Sequence, residues 1–161
     1  MNRIRILIPL GLLLCMSAIQ AQTVNFNLTG TITPGVCRFT ANNVDLGTYA
    51  STLFTGSYVT PFVDVPVTSQ GCDPLVTSVH MRVTGTADVA NAALFRGVTG
   101  IGIELQRKSP VLAVVPAGTN VDFTPVASGG TYLFQARFSQ SAPTVAAGTV
   151  SSPVTINITY N

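Results

Sequence analysis

The chain contains no tryptophan, one histidine (His80) and only three cysteines in 161 residues. One imidazole and so few thiols leave a metal site or a Cys–His nucleophile short of side chains. The carboxylates Asp45, Asp64, Asp73, Asp88, Glu104 and Asp122 are scattered, and no local pairing suggests the twin acids of glycoside hydrolysis. Charge of one sign is also missing. Beyond residue 21 the basic side chains are Arg38, Arg82, Arg96, Arg107, Lys108 and Arg137, and they balance those six acids. A nucleic-acid binder needs a basic patch, so nucleic acid is not an expected partner. No segment shows a helical period, and there is no internal repeat, long linker or low-complexity tract. Catalysis finds no support in this inventory; neither an enzyme nor a cofactor is expected.

What is present begins with a leader. Arg3 and Arg5 precede an apolar run over residues 6–16, and small or polar residues follow to Ala21. This is the layout of a secretory signal peptide over residues 1–21, with cleavage expected after Ala21. The run falls short of the roughly 20 residues that cross a bilayer. Leu14, just before Cys15, is larger than a lipidation site prefers. The exported chain would keep Cys37 and Cys72, an even count that reads as one disulfide in an oxidising compartment. Such a bond closes a loop of 36 residues.

The rest alternates. Val24, Phe26, Leu28, Gly30 and Ile32 share one face of a candidate strand, with Asn and Thr on the other. Pro34 and Gly35 interrupt it. Further strands are expected near Val36 and Cys37, over 44–49, over 61–69, and around Val79, Met81 and Val83. Others follow at Ile101, Ile103 and Leu105, over 111–115, and along Tyr132, Phe134, Ala136 and Phe138 after the Gly129-Gly130 turn. Val154, Ile156, Ile158 and Tyr160 form the last. Pro66 must sit at an edge, a bulge or a strand end. Residues 88–95 have room for one helical turn. His80 falls on the polar side of its strand, and Arg107 and Lys108 read as a solvated strand end. Eight or nine short strands with turn residues between them define an all-β sandwich or barrel.

Several of these pieces, in this order, resemble the chaperone–usher pilus subunits of type 1 and P-like fimbriae. They are Val24-Asn25-Phe26-Asn27-Leu28-Thr29-Gly30 with Cys37 seven residues later, Val44-Asp45-Leu46-Gly47, and Gly71-Cys72-Asp73. They continue with Gly100-Ile101-Gly102-Ile103-Glu104-Leu105, Phe134-Gln135-Ala136-Arg137-Phe138, Gly148 fourteenth from the C-terminus, and the penultimate Tyr160. The resemblance implies an incomplete immunoglobulin-like β-sandwich of six strands, lacking its last, over residues 35–161. Residues 22–34 would form an N-terminal donor strand carrying Val24, Phe26, Leu28, Gly30 and Ile32. Gly148, Val154, Ile156, Ile158 and Tyr160 would mark the C-terminal strand that a periplasmic chaperone covers. The implied partners are that chaperone, an outer-membrane usher and neighbouring pilus subunits, with a host receptor met only through the assembled fibre. The implied location is the fimbrium at the cell surface.

Two bland readings stand beside this. Residues 24–32 could be the first strand of the domain's own sheet, since half-buried strands alternate by default. The C-terminal run could be an ordinary core strand. A different function class, a secreted carbohydrate-binding sandwich or tip adhesin, would predict a complete fold and exposed aromatics. The lack of Trp and the alternating placement of Tyr and Phe disfavour it. The sequons at Asn27 and Asn157 are taken as chance in Thr-rich strands.

Overall fold

A computed structural model describes residues 27–31 and 36–161. The expected signal peptide, Val24, Phe26 and Ile32 lie outside the described residues. The chain divides into two units, Met1–Ile32 and Thr33–Asn161. In the first, residues 27–31 carry no strand and are exposed.

The second unit is an all-β sandwich. Its strands are β1 (Arg38–Ala41), β2 (Val63–Gln70), β3 (Val79–Gly85), β4 (Ile101–Arg107), β5 (Ala113–Val114), β6 (Asn120–Phe123), β7 (Gly130–Gln140) and β8 (Val154–Tyr160). One sheet has the order β1-β2-β7-β4-β5 and the other β6-β3-β8. Every ladder is antiparallel. Five strands, β2, β3, β4, β7 and β8, carry the seven-residue pairings, while β1 and β6 pair over four residues and β5 over two.

The period-two alternation does what it should: Val67, Phe134, Ala136 and Leu105 from the larger sheet meet Val79, Met81, Val83 and Val121 from the smaller. Phe123 bridges the layers, its ring packed edge-on against Tyr132 and Phe134 at 4.7 and 5.9 Å. Phe95 plugs the other end of the core from the loop between β3 and β4. Gly85 makes room for it, since a Cβ there would lie 2.8 Å from the Phe95 ring. Phe134 is 1% exposed at the centre of the sandwich. Phe134→Ala is expected to cost about 3–5 kcal/mol, read as a fall in the urea midpoint at constant slope.

Pro66 stands inside β2 without breaking it. Its cross-ladder neighbour Leu133 turns its carbonyl toward β4, accepting from the Lys108 N–H at 2.8 Å. The Pro66 nitrogen therefore faces the opposite edge, where β1 has already ended at Ala41. No ladder bond is lost, so the proline is tolerated as an edge residue.

Three local expectations change. Residues 44–49 form no ladder, and the single 3₁₀ turn among the described residues is Ser51–Leu53 rather than within 88–95. The 88–95 stretch is instead shaped by the Asp88 carboxylate, which accepts from the Ala90 and Asn91 N–H groups at 3.0 and 3.1 Å. That side-chain turn competes with a helical one for the same donors. Finally, β6 is a strand that its sparse apolar pattern, Val121 and Phe123 alone, did not announce.

Candidate functional site: an open groove beside the C-terminal strand

β8 pairs with β3 along one edge, from Gly85↔Val154 to Val79↔Tyr160. Among the described residues its other edge has no partner. Toward the start of β8 the sandwich is open. A groove of about 780 Å³ runs between residues 43–49 on one wall and residues 146–153 on the other. Val98, Ile101, Ile103 and Phe138 line it from below, with Leu46, Tyr49 and Phe54 at the side. Tyr49 meets Phe138 edge-on at 6.2 Å. Asp45 is the one ionisable acid in the lining, and its carboxylate is engaged by the Gly47 N–H at 2.9 Å. The groove therefore offers an apolar floor between walls that carry Asn43, Thr48, Ser51, Thr149, Ser151 and Ser152, next to a strand edge that is unpaired among the described residues.

Of the expected C-terminal residues, Gly148 lines the groove, and Val154, Ile156, Ile158 and Tyr160 follow it along β8. Ile156, Ile158 and Tyr160 point inward from β8 and are only half-buried, packed against the core on one side. Val154, at the start of the strand, is exposed. Gly148 lies in the groove wall, where a Cβ would come within 3.1 Å of Val98 Cγ1. Tyr160 is anchored by its hydroxyl, which donates to the Cys37 carbonyl at 2.9 Å, and by stacking on Phe39 at 6.4 Å between centroids. Cys37 and Cys72 are joined in a buried disulfide. Of the expected donor residues, Leu28 and Gly30 belong to the first unit and are exposed.

The groove floor was not legible in advance. Ile101, Ile103 and Phe138 read as ordinary core positions, because alternation marks an inward face without telling whether the facing layer is filled. The failure of residues 44–49 to form a ladder has the same origin: they border the groove and not a strand.

Away from the groove, several charged residues are tied into local pairs. Arg137 binds Glu104 at 2.7 Å and lies over the Phe62 ring at 4.2 Å. Lys108 holds Asp64, and His80 Nδ1 meets Asp122 at 2.7 Å. His80 is thus half-buried and paired rather than solvated. Asp73 accepts from the Leu75 N–H at 2.8 Å. Among the described residues no three potential ligands gather around a point where a metal could sit.

A two-layer antiparallel sandwich with an open groove at the start of its C-terminal strand has the pilin-type immunoglobulin-like fold. Residues 26–161 match the family described as fimbrial protein, and the chain belongs to that family. It is a structural subunit of a pilus, and the family places it in the fimbrium at the cell surface. Among solved structures, the chain is similar to the P pilus rod subunit PapA, with a TM-score of 0.68 at 18% identity, over 78% of this chain and 99% of that one. It is similar to the subunit of a chaperone–usher pilus structure at 0.67 and 17%, over 89% and 99%. The CupB6 tip adhesin from Pseudomonas aeruginosa is matched at 0.55 and 15%, over 71% of this chain but 34% of that protein. At these identities the likeness is one of fold. No curated protein matches the chain by sequence.

Proposed function

We propose that this subunit polymerises by donor-strand exchange. After export and loss of residues 1–21, residues 22–34 of one copy fill the groove of the domain, residues 35–161, in the next. The observation that supports this is the open groove beside the edge of β8 that has no partner among the described residues, with Ile156, Ile158 and Tyr160 half-covered. An open groove with an apolar floor next to a free strand edge is an aggregation hazard. An added strand removes both faults, since its backbone pairs with the edge and its alternate side chains enter the groove. Val24, Phe26, Leu28 and Ile32 supply four apolar side chains, and Gly30 permits one close backbone approach. Their burial is worth about 6–12 kcal/mol before ordering costs.

Until that moment a periplasmic chaperone covers the same edge along Gly148, Val154, Ile156, Ile158 and Tyr160, and an outer-membrane usher presents the complex for exchange. No cofactor and no catalytic step enter this scheme; the free energy comes from completing the fold. Residues 44–49 acquire a ladder partner only when the strand is donated, which accounts for their present lack of one.

Phe26→Asp is expected to leave chaperone capture intact while blocking incorporation into fibres, because it puts a charge into an apolar slot. Deletion of residues 159–161 is expected to abolish recovery of the one-to-one chaperone complex, measured by native mass spectrometry of a periplasmic extract. Equal incorporation of the Phe26 variant, or a stable chaperone-free monomer of the parent chain, would overturn the proposal.

A further inference from the structure

Each end of the sandwich exposes apolar side chains that no other described residue covers. At one end the register gathers the start of β1, the end of β2, the start of β7 and the end of β8: Arg38 faces Gln70, Ser69 faces Gly130, and Val79 faces Tyr160. The Asp73 N–H there donates to the Val36 carbonyl at 3.3 Å. This end exposes Val36, Leu75, Val111, Leu112 and Val126, with Leu75 82% exposed. At the opposite end Gly85 faces Val154, and the loop that continues from Gly85 carries Val89, 94% exposed, among the exposed residues Ala90, Ala92 and Ala93.

Resting on donor-strand exchange, we propose that these two ends meet: the Val36–Leu75 end of each donating subunit seats on the 86–93 loop of its acceptor. Two steps lead there. First, a strand added to β8 extends a domain in which every ladder is antiparallel, the more stable pairing. Antiparallel to β8, it leaves the groove beside Val154. Second, Ile32 and Val36 are four residues apart, so chain length alone keeps Val36 within about 14 Å of that exit. Val89 is four residues beyond Gly85, the partner of Val154, and lies within the same reach. The covalent tether thus delivers one apolar end onto the other, and burying both fixes the angle between successive subunits. A contact of one end with the opposite end is heterologous, and it generates an open filament and not a closed dimer.

The test uses fibres assembled from the full chain with its chaperone and usher. A benzophenone amino acid at position 75 is irradiated in intact fibres, and the cross-linked peptides are identified by mass spectrometry. The expected product joins position 75 to residues 86–93 of another copy. Val89→Asp, at a side chain too exposed to matter for folding, is expected to abolish that product and make the fibres more flexible by electron microscopy. It should leave their resistance to dissociation in detergent unchanged. Cross-links to residues 107–113 or 124–130 of another copy, or none, overturn the end-to-end contact while detergent-resistant fibres uphold strand donation. If the parent chain forms no strand-linked fibres at all, both fall together.

Discussion

Appending residues 24–32 behind Asn161, through a linker of about four residues, is expected to turn the subunit into a soluble monomer that needs no chaperone. The strand would then reach the groove in the same molecule, where its effective concentration far exceeds any intermolecular supply. The gain is the burial of Val24, Phe26, Leu28 and Ile32 against Ile101, Ile103, Phe138 and the inner face of β8, less the cost of ordering nine residues. Even about 3 kcal/mol net would raise the melting midpoint by about 10 °C in a domain of this size. The linker length also tests orientation. β8 spans seven residues, about 20 Å, and four linker residues reach at most about 14 Å. A short linker therefore serves an antiparallel strand that turns back at Asn161, and fails for a parallel one that must return to Val154. Calorimetry and size-exclusion chromatography of the fused and unfused chains decide the matter. An unchanged midpoint with continued aggregation would mean that the groove does not take this strand.

Much of the domain could be read from residue order because alternation is a local property. Val79, Met81 and Val83, or Tyr132, Phe134 and Ala136, each declare an inward face within five residues, and the structure buries all of them. Gly148 and Tyr160 stand out for another reason, since their positions relative to the C-terminus match a family pattern; the structure places Gly148 in the groove wall and Tyr160 at the far end of β8, anchored on Cys37. What stayed hidden depends on what is absent across the layer. Ile103 and Phe138 alternate as Leu105 and Phe134 do, yet the first two line a groove and the last two a closed core. Residues 44–49 have the composition of a strand and no ladder, since a strand is made by its neighbour as much as by its own side chains. His80 and Asp122, 42 residues apart, meet only because β3 and β6 pair in one register.

Loss of the disulfide is expected to have the second large effect, and it should act on the groove as well as on stability. Cys37 immediately precedes β1, and Cys72 follows β2 at the same end of the sandwich. β1 has four residues and, among the described residues, a single ladder, to β2. Such a short edge strand holds weakly by itself, and the wall of the groove, residues 43–49, continues directly from it. The bond closes a separation of 35 residues, which is worth about 4 kcal/mol in the loop-entropy account. Cys37→Ala combined with Cys72→Ala is therefore expected to lower the midpoint of the strand-fused chain by more than 10 °C. Reduction of the parent fused chain should give the same drop, which separates loss of the cross-link from loss of the two sulfur atoms as packing. The hydrogen bond from Tyr160 goes to the Cys37 backbone and survives the substitution, so the end of β8 should stay docked while β1 loosens. Hydrogen exchange then has a specific expected pattern: protection falls over Arg38–Ala41 before it falls over Val154–Tyr160. In the unfused chain the same change should sharply reduce recovery of the chaperone complex, because a groove with one loose wall presents no fixed edge to cover. A midpoint shift under about 3 °C would mean that the β1–β2 ladder and the Phe39–Tyr160 stack hold this wall without the bond.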